Sequence, residues 1–267
     1  MVIEDVDGSL YKPLRAVFYR AKIDTDIVQF QTLDWDSAFF GITIAEILPN
    51  RLATRELEQV ITHMKNAGVK LAYWASDPDD EKSQRAARAC HGFLADKKTT
   101  FVMELGPANP PAGSSGWLVE EYTDAVPNSE LESLAIEAGI YSRFRMDPRI
   151  PEGKFVELYK LWILNSTSRR MADAVLVVRR GGRIVGMVTV KDENGAGDIG
   201  LIAADAGMRG NKLGFTLVRA AQEWARKKGL KHAQVVTQGE NIAACKLYEK
   251  CGYRAAKTEN FYHFWIP

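Results

Sequence analysis

Two tight turns constrain this chain more than any other feature. Arg180-Gly181-Gly182-Arg183 separates the apolar runs at 175–178 and 184–190. Paired glycines between strand-like runs are a hairpin signal, because a two-residue turn needs positive φ at its centre. Glu193-Asn194-Gly195-Ala196-Gly197 then turns the chain again into Ile199-Gly200-Leu201-Ile202-Ala203. The pattern changes after that. Leu217, Val218, Ala221, Trp224 and Ala225 fall on one helical face that ends at Gly229, a C-cap residue. A strand at 233–237, a helix from Asn241 to Lys250 and an aromatic strand at 260–266 complete the order. Upstream, 117–122 reads as a short strand. Leu131, Leu134, Ala135 and Ala138 mark one amphipathic helix, and Phe155, Leu158, Tyr159 and Trp162 mark another. Antiparallel strands leading into a strand–loop–helix–strand–helix–strand ending predict a mixed α/β (α+β) domain.

Residues 106–116 contain three prolines and three glycines with no hydrophobic period, which is the best linker in the chain. They separate an N-terminal domain, 1–105, from a larger domain, 117–267. The N-terminal domain repeats part of the second one. Asn66-Ala67-Gly68-Val69 parallels Lys227-Lys228-Gly229-Leu230, and His91-Gly92-Phe93 parallels Cys251-Gly252-Tyr253. Gly68 and Gly92 are 24 positions apart, Gly229 and Gly252 are 23 apart. A worn partial copy of one unit explains this, as do two unrelated helix–strand pieces with glycine caps. The first two dozen residues read as an unassigned extension.

Charge narrows the partners. Lys and Arg number 35 against 34 Asp and Glu, a net +1 over 267 residues. Bulk attraction to nucleic acid or an anionic membrane needs a basic excess, so neither partner is expected. No apolar run approaches the ~18 residues of a membrane span, and the acidic start lacks a signal-peptide layout. Cys90, Cys245 and Cys251 are sparse and odd in number, as expected of thiols in a reducing, cytoplasmic setting. No metal-ligand spacing occurs, and none of the cysteines sits in a nucleophile setting.

Met208-Arg209-Gly210-Asn211-Lys212-Leu213-Gly214 lies between a strand and a helix. Glycines there turn the backbone so that N–H groups point outward at a helix N-terminus, which suits a phosphate. The spacing is neither GxGxxG nor GxxxxGK[ST], so dinucleotide and P-loop sites are not indicated. An ordinary strand-to-helix turn has the same composition.

Downstream, Asn241-Ile242-Ala243-Ala244-Cys245-Lys246-Leu247-Tyr248-Glu249-Lys250-Cys251-Gly252-Tyr253 reads N-x-x-A-x-x-L-Y-x-x-x-G-Y. Paired with the Arg209-Gly210-x-x-x-Gly214 loop, it resembles the GNAT (GCN5-related) N-acetyltransferase family over about 117–267. The resemblance implies a GNAT acyl-CoA N-acyltransferase fold, with a smaller, partial GNAT-like domain before it that walls the acceptor pocket. It implies acetyl-CoA as donor. The amides of Arg209, Gly210, Asn211, Lys212, Leu213 and Gly214 would hold the pyrophosphate. The strand Leu201-Ile202-Ala203 would pair with pantetheine, in a slot opened by its splaying from 233–237. Asn241 would touch pantetheine or the loop, and Tyr248 would sit by the sulfur. Lys212 stands where the family usually has Gly, which fits if its dihedrals are helical and its side chain points away, or if the ammonium itself contacts phosphate.

Trp35-Asp36-Ser37-Ala38-Phe39-Phe40-Gly41, Tyr141-Ser142-Arg143-Phe144-Arg145, the Phe155…Ser166 stretch and Val236-Thr237-Gln238-Gly239-Glu240-Asn241-Ile242-Ala243-Ala244 resemble the bacterial TDP-fucosamine acetyltransferases more narrowly. The resemblance implies a nucleotide-linked amino sugar, dTDP-4-amino-4,6-dideoxygalactose, as acceptor, and it suggests a homodimer. A diphosphate suits the planar guanidinium groups of Arg143 and Arg145, which alternate with Tyr141 and Phe144 between two helices. Surface ion pairs would use the same two arginines. Tyr159 is a candidate sugar contact that its helical stripe also assigns to the core, and Phe39-Phe40-Gly41 reads as a packed hairpin.

Direct attack of an amine on a thioester needs an acid for the leaving thiolate, and the Tyr248 hydroxyl is placed for that by the motif. Asp198 and Glu193, near the start of the strand at 199–203, are candidate bases that could equally face solvent. Two other readings stay open. One keeps the chemistry with another amine: a different amino sugar, an aminoglycoside or a protein α-amine. The other is a non-catalytic acyl-CoA-binding module.

Overall fold

The computed structural model describes residues 18–23, 26–106, 116–208 and 210–267, with side chains from Phe30 onward. Arg209, most of the expected linker and most of the N-terminal extension lie outside the described residues. The chain forms two compact units, one running up to Lys98 and taking back Thr258–Pro267, the other Thr99–Lys257.

In the first unit, β1 (Phe18–Ile23) and β2 (Asp26–Thr32) pair antiparallel, and β2 pairs antiparallel with β3 (Ile44–Ile47). Between them α1 (Asp34–Phe40) ends at Gly41 in the left-handed region, φ 72°. The Phe39-Phe40-Gly41 segment is therefore a capped helix end and not the expected hairpin. β3 then pairs parallel with β4 (Leu71–Ser76) through the crossover helix α2 (Thr54–Asn66), and α3 (Glu81–Ala89) follows. Leu57, Val60 and Met64 of α2 and Ala86 and Ala87 of α3 are buried against Ala72 and Trp74 of β4.

The second unit places strands in the order β5 (Phe93–Glu104, from Thr99), β10 (His232–Gln238), β9 (Ala196–Ala204), β8 (Arg183–Glu193), β7 (Ala174–Arg180), β6 (Val119–Glu121). Both expected hairpins form. Gly181 and Gly182 have φ 57° and 82° between the pair Arg180↔Arg183; Asn194 and Gly195 have φ 54° and 86° between Glu193↔Ala196. Each turn thus places two consecutive residues at positive φ, as a two-residue hairpin loop of matched twist requires. Helices α4 (Ser129–Ala138), α5 (Arg143–Met146) and α6 (Glu152–Thr167) precede the hairpins. α7 (Leu213–Lys227) makes the crossover from β9 to the parallel strand β10, burying Leu213, Leu217, Val218, Ala221 and Ala225. Gly197 on β9 has no Cβ because Ala225 of α7 lies against it. Gly229, φ 78°, closes α7 with the Leu230 N–H donating to the Ala225 carbonyl, a Schellman arrangement. α8 (Ile242–Lys250) and β11 (Arg254–Trp265) follow.

The unit boundaries fall within β5 and β11 and not in the 106–116 segment, because contacts between strands and not chain order decide which residues pack together. Asn260–Trp265 of β11 pair antiparallel with β4. The aromatic strand assigned to the C-terminal domain on sequence order therefore completes the sheet of the first unit. The left-handed residues after α2, α3, α7 and α8 are Gly68, His91, Gly229 and Gly252, so the spacing is 23 residues in each unit. Gly92 has a different duty, since a Cβ there would lie 2.7 Å from the Phe264 ring.

Candidate active site

β9 and β10 run in parallel register from Ala196↔His232 to Ile199↔Val235, where the ladder stops. Both strands continue, β9 to Ala204 and β10 to Gln238. The cause is visible on the other edge of β9. Val190 pairs with Ile199 and Val188 with Ile202, so Gly200 and Leu201 together oppose the single residue Thr189. Such a bulge bends its strand, increases local twist and ends pairing. The backbone of 200–204 thus has no ladder partner from β10, and an extended amide chain can take that place as strands do. Leu201 and Ala203 are buried and Ile202 half-buried. Val236 across the gap is 40% exposed.

β9 leads through a 3₁₀ turn, Ala206–Met208, to the head of α7. Gly210 has φ 82°. Lys212 has φ 58° and ψ 16°, a left-handed residue and not the helical one expected. A side chain there costs roughly 1–2 kcal/mol relative to glycine, and Lys212 is exposed. Gly214 is glycine for another reason than the turn, since its Cβ would lie 3.1 Å from Leu247 of α8. The first N–H bonded within the helix is that of Thr216, which donates to the Lys212 carbonyl. The N–H groups of Leu213, Gly214 and Phe215 therefore lack helical partners and stand at the positive end of the helix dipole, an anion-binding arrangement. The Trp117 indole N–H donates to the Asn211 carbonyl at 2.9 Å and pins the loop. Sequence reading made Trp117 the start of a strand, and only its position just after the proline-rich segment hinted at more.

Tyr248 of α8 is 2% exposed, with ring centroids 5.8 Å from Phe101 and 6.0 Å from Tyr253. Burial raises its phenol pKa, so the proton stays on at neutral pH, the state an acid must start from. Asn241 is the α8 N-cap: its side-chain oxygen accepts from the Ala244 N–H at 3.1 Å. That local duty leaves its amide nitrogen as the group for any ligand. Burial pushes the Cys251 thiol up to about 11 and also raises Cys245, which opposes a thiolate nucleophile at either.

The two carboxylates separate. Glu193 sits at the hairpin end, bridged to Lys191 at 2.6 Å and accepting from the Asn194 side chain. It lies about 13 Å along the strand from Gly200 at ~3.3 Å per residue. Asp198 pairs across the ladders with Lys191 and Gln234. Gly197 faces α7, so strand alternation turns Asp198 to the opposite face, which it shares with Gly200 about 7 Å away. Burial raises its pKa to about 6, against the lowering effect of a hydrogen bond with Gln234.

On the α4–α6 side, Tyr159 is 4% exposed, packed against Phe155 and Trp162 with Gly139 leaving room for its ring. Its helical stripe is core. Arg145 bridges Glu152 at 2.7 Å and lies over the Phe155 ring. The Arg143 guanidinium carbon sits 4.3 Å over Phe144, and Tyr141 is 40% exposed. Among the described residues no group of three or more His, Cys, Asp or Glu could hold a metal ion, and no helix is long and apolar enough to cross a membrane.

Residues 138–253 match the acetyltransferase (GNAT) family. The chain is 25% identical over 168 residues to the spore coat polysaccharide biosynthesis protein SpsD of Bacillus subtilis (strain 168). That match covers 63% of this chain and 53% of SpsD, so it spans about half the length of that relative. The chain is 27% identical over 241 residues to the dTDP-fucosamine acetyltransferase of Escherichia coli O6:H1 (strain CFT073), covering 88% and 96% of the two chains. Among solved structures, the GCN5-related N-acetyltransferase from Sphaerobacter thermophilus aligns with a TM-score of 0.58 at 14% identity, over 91% of this chain and 78% of that one. That likeness is one of fold.

Proposed function

We propose that this chain transfers acetyl from acetyl-CoA to the amino group of a nucleotide-linked amino sugar, a reading supported by the match of residues 138–253 to the acetyltransferase (GNAT) family. The observation that carries the donor is the coincidence of the ladder end at Ile199↔Val235 with the exposed helix head that follows β9. The amides at the head of α7, with the Gly210 turn before them, hold the CoA pyrophosphate. The backbone of Leu201, Ile202 and Ala203 pairs with the pantetheine arm, and Asn241 adds its amide nitrogen.

The amine nitrogen attacks the thioester carbon directly, forming the amide C–N bond as the C–S bond breaks. Asp198, with its raised pKa and its place on the Gly200 face, takes the amine proton through water; Glu193 is held by Lys191 away from this point. Tyr248 gives its proton to the departing thiolate. The acceptor class, a dTDP-4-amino-4,6-dideoxyhexose, rests on the homologue named dTDP-fucosamine acetyltransferase, which the match covers almost end to end. Arg143 is the diphosphate contact in this reading and Tyr141 an exposed neighbour. Arg145, already paired with Glu152, joins it only by exchanging partners. That pairing favours a second reading in which the same chemistry acts on an amine without a diphosphate. The reaction belongs in the cytoplasm, where acetyl-CoA is at hand.

Thiol release with acetyl-CoA and a panel of amines tests the proposal. Turnover with dTDP-4-amino-4,6-dideoxygalactose well above that with aminoglycosides or peptides is expected. Equal turnover with amines that carry no diphosphate would move the acceptor to the second reading.

A further inference from the structure

We infer that Thr189 is a positioning residue for the acyl-donor slot: its hydroxyl holds the bulge at Gly200–Leu201 that parts β9 from β10. The inference rests on the reading of that slot as the acetyl-CoA site. A bulge leaves its extra residue without a ladder partner, and a buried unpaired N–H is costly. Here the Leu201 N–H donates to Thr189 Oγ1 at 2.8 Å, so the side chain replaces the missing carbonyl. Thr189 is 2% exposed, which leaves water no share in that bond. The opposite residue is shaped to match, since a Cβ on Gly200 would stand 2.9 Å from Thr189 Oγ1. Hydroxyl and glycine thus form one device, placed directly after the last β9–β10 pair. Thr189 is the one hydroxyl residue in the apolar run 184–190, where valine would serve the core equally well. Loss of the hydroxyl leaves the buried Leu201 N–H without an acceptor, so the bulge loosens and the slot loses its fixed shape.

Thr189→Val and Thr189→Ser separate this role from simple packing. Acetyl-CoA titration and amide hydrogen exchange at Leu201 would be measured on the full chain. The valine variant should bind acetyl-CoA about tenfold more weakly or worse, raise the KM for acetyl-CoA while leaving that of the acceptor, and lose protection at Leu201 by a similar factor. Serine, which keeps the oxygen, should stay within about threefold of the parent on every readout. Parental affinity and parental Leu201 protection in the valine variant would overturn the inference. Should that variant not fold, Gly200→Ala reads the same contact, with weaker acetyl-CoA binding and faster Leu201 exchange expected and unchanged values overturning it. If the parent chain does not bind acetyl-CoA, the donor reading falls by itself. Leu201 exchange alone then decides whether Thr189 holds the bulge.

Discussion

Replacing Asp198 by Asn should make the protein more stable and less active, and both effects should depend on pH. The carboxyl is raised from an ordinary 3.8 to about 6, chiefly by burial on β9. A raised acid favours the folded state in its protonated form. The stability it contributes is therefore full below pH 3.8 and is lost as pH rises through about 6. At 1.36 kcal/mol for each tenfold change, the charged carboxylate costs about 3 kcal/mol above pH 7. Asn has nearly the same shape, carries no charge and can still hydrogen-bond Gln234, so it removes that cost. Urea unfolding should show Asp198→Asn about 3 kcal/mol more stable than the parent at pH 8, with the difference closing toward zero near pH 3.5. Over the same range, parental kcat/KM should climb tenfold per pH unit below about 6 and then level, the signature of a base that must be ionised. The variant should lack that limb and turn over ~10²–10⁴-fold more slowly. A stability difference that stays constant with pH would refute the raised carboxyl, and an unchanged pH–rate limb would remove Asp198 as the base.

The remaining expectations follow from single contacts. Tyr248→Phe keeps the ring between Phe101 and Tyr253 and removes only the hydroxyl; kcat should fall ~10²–10⁴-fold with the acetyl-CoA KM unchanged, and near-parental turnover would free Tyr248 of the acid role. Lys212→Gly relieves a left-handed side chain at φ 58° and should raise stability by about 1 kcal/mol in thermal unfolding. The same variant should bind acetyl-CoA more weakly if the ammonium meets the phosphates, and equal affinity would assign the site to the backbone amides alone.

Local signals carried most of the fold. Gly181-Gly182 and Asn194-Gly195 declare hairpins because a two-residue turn needs positive φ, and Gly229 declares the end of α7 for the same reason. Helix faces are legible because burial repeats every turn, which is also why Tyr159 reads as core. What lay hidden depends on residues far apart in sequence. The partner of β11 is β4, almost two hundred residues upstream, and nothing within 260–266 says so. Glycine looks the same in sequence whether it serves a turn, as at Gly210, or a close approach, as at Gly92 and Gly214; this misaligned the repeat by one residue, with His91 taking the left-handed position. The slot was anticipated from a motif, but its cause was not. A bulge is set by how two strands register, and Thr189 is one hydroxyl inside an apolar run until Gly200 and Leu201 are placed opposite it.

In the proposed function the parted strands β9 and β10 and the head of α7 together form one binding site for acetyl-CoA. Calorimetric titration of the full chain with acetyl-CoA tests it most directly, with 3′-dephospho-CoA and acetyl-pantetheine as shortened probes. Saturable binding of one acetyl-CoA per chain is expected, retained by dephospho-CoA and weakened sharply for acetyl-pantetheine, which lacks the pyrophosphate that α7 would hold. Absence of binding, or equal affinity for acetyl-pantetheine, would contradict the account.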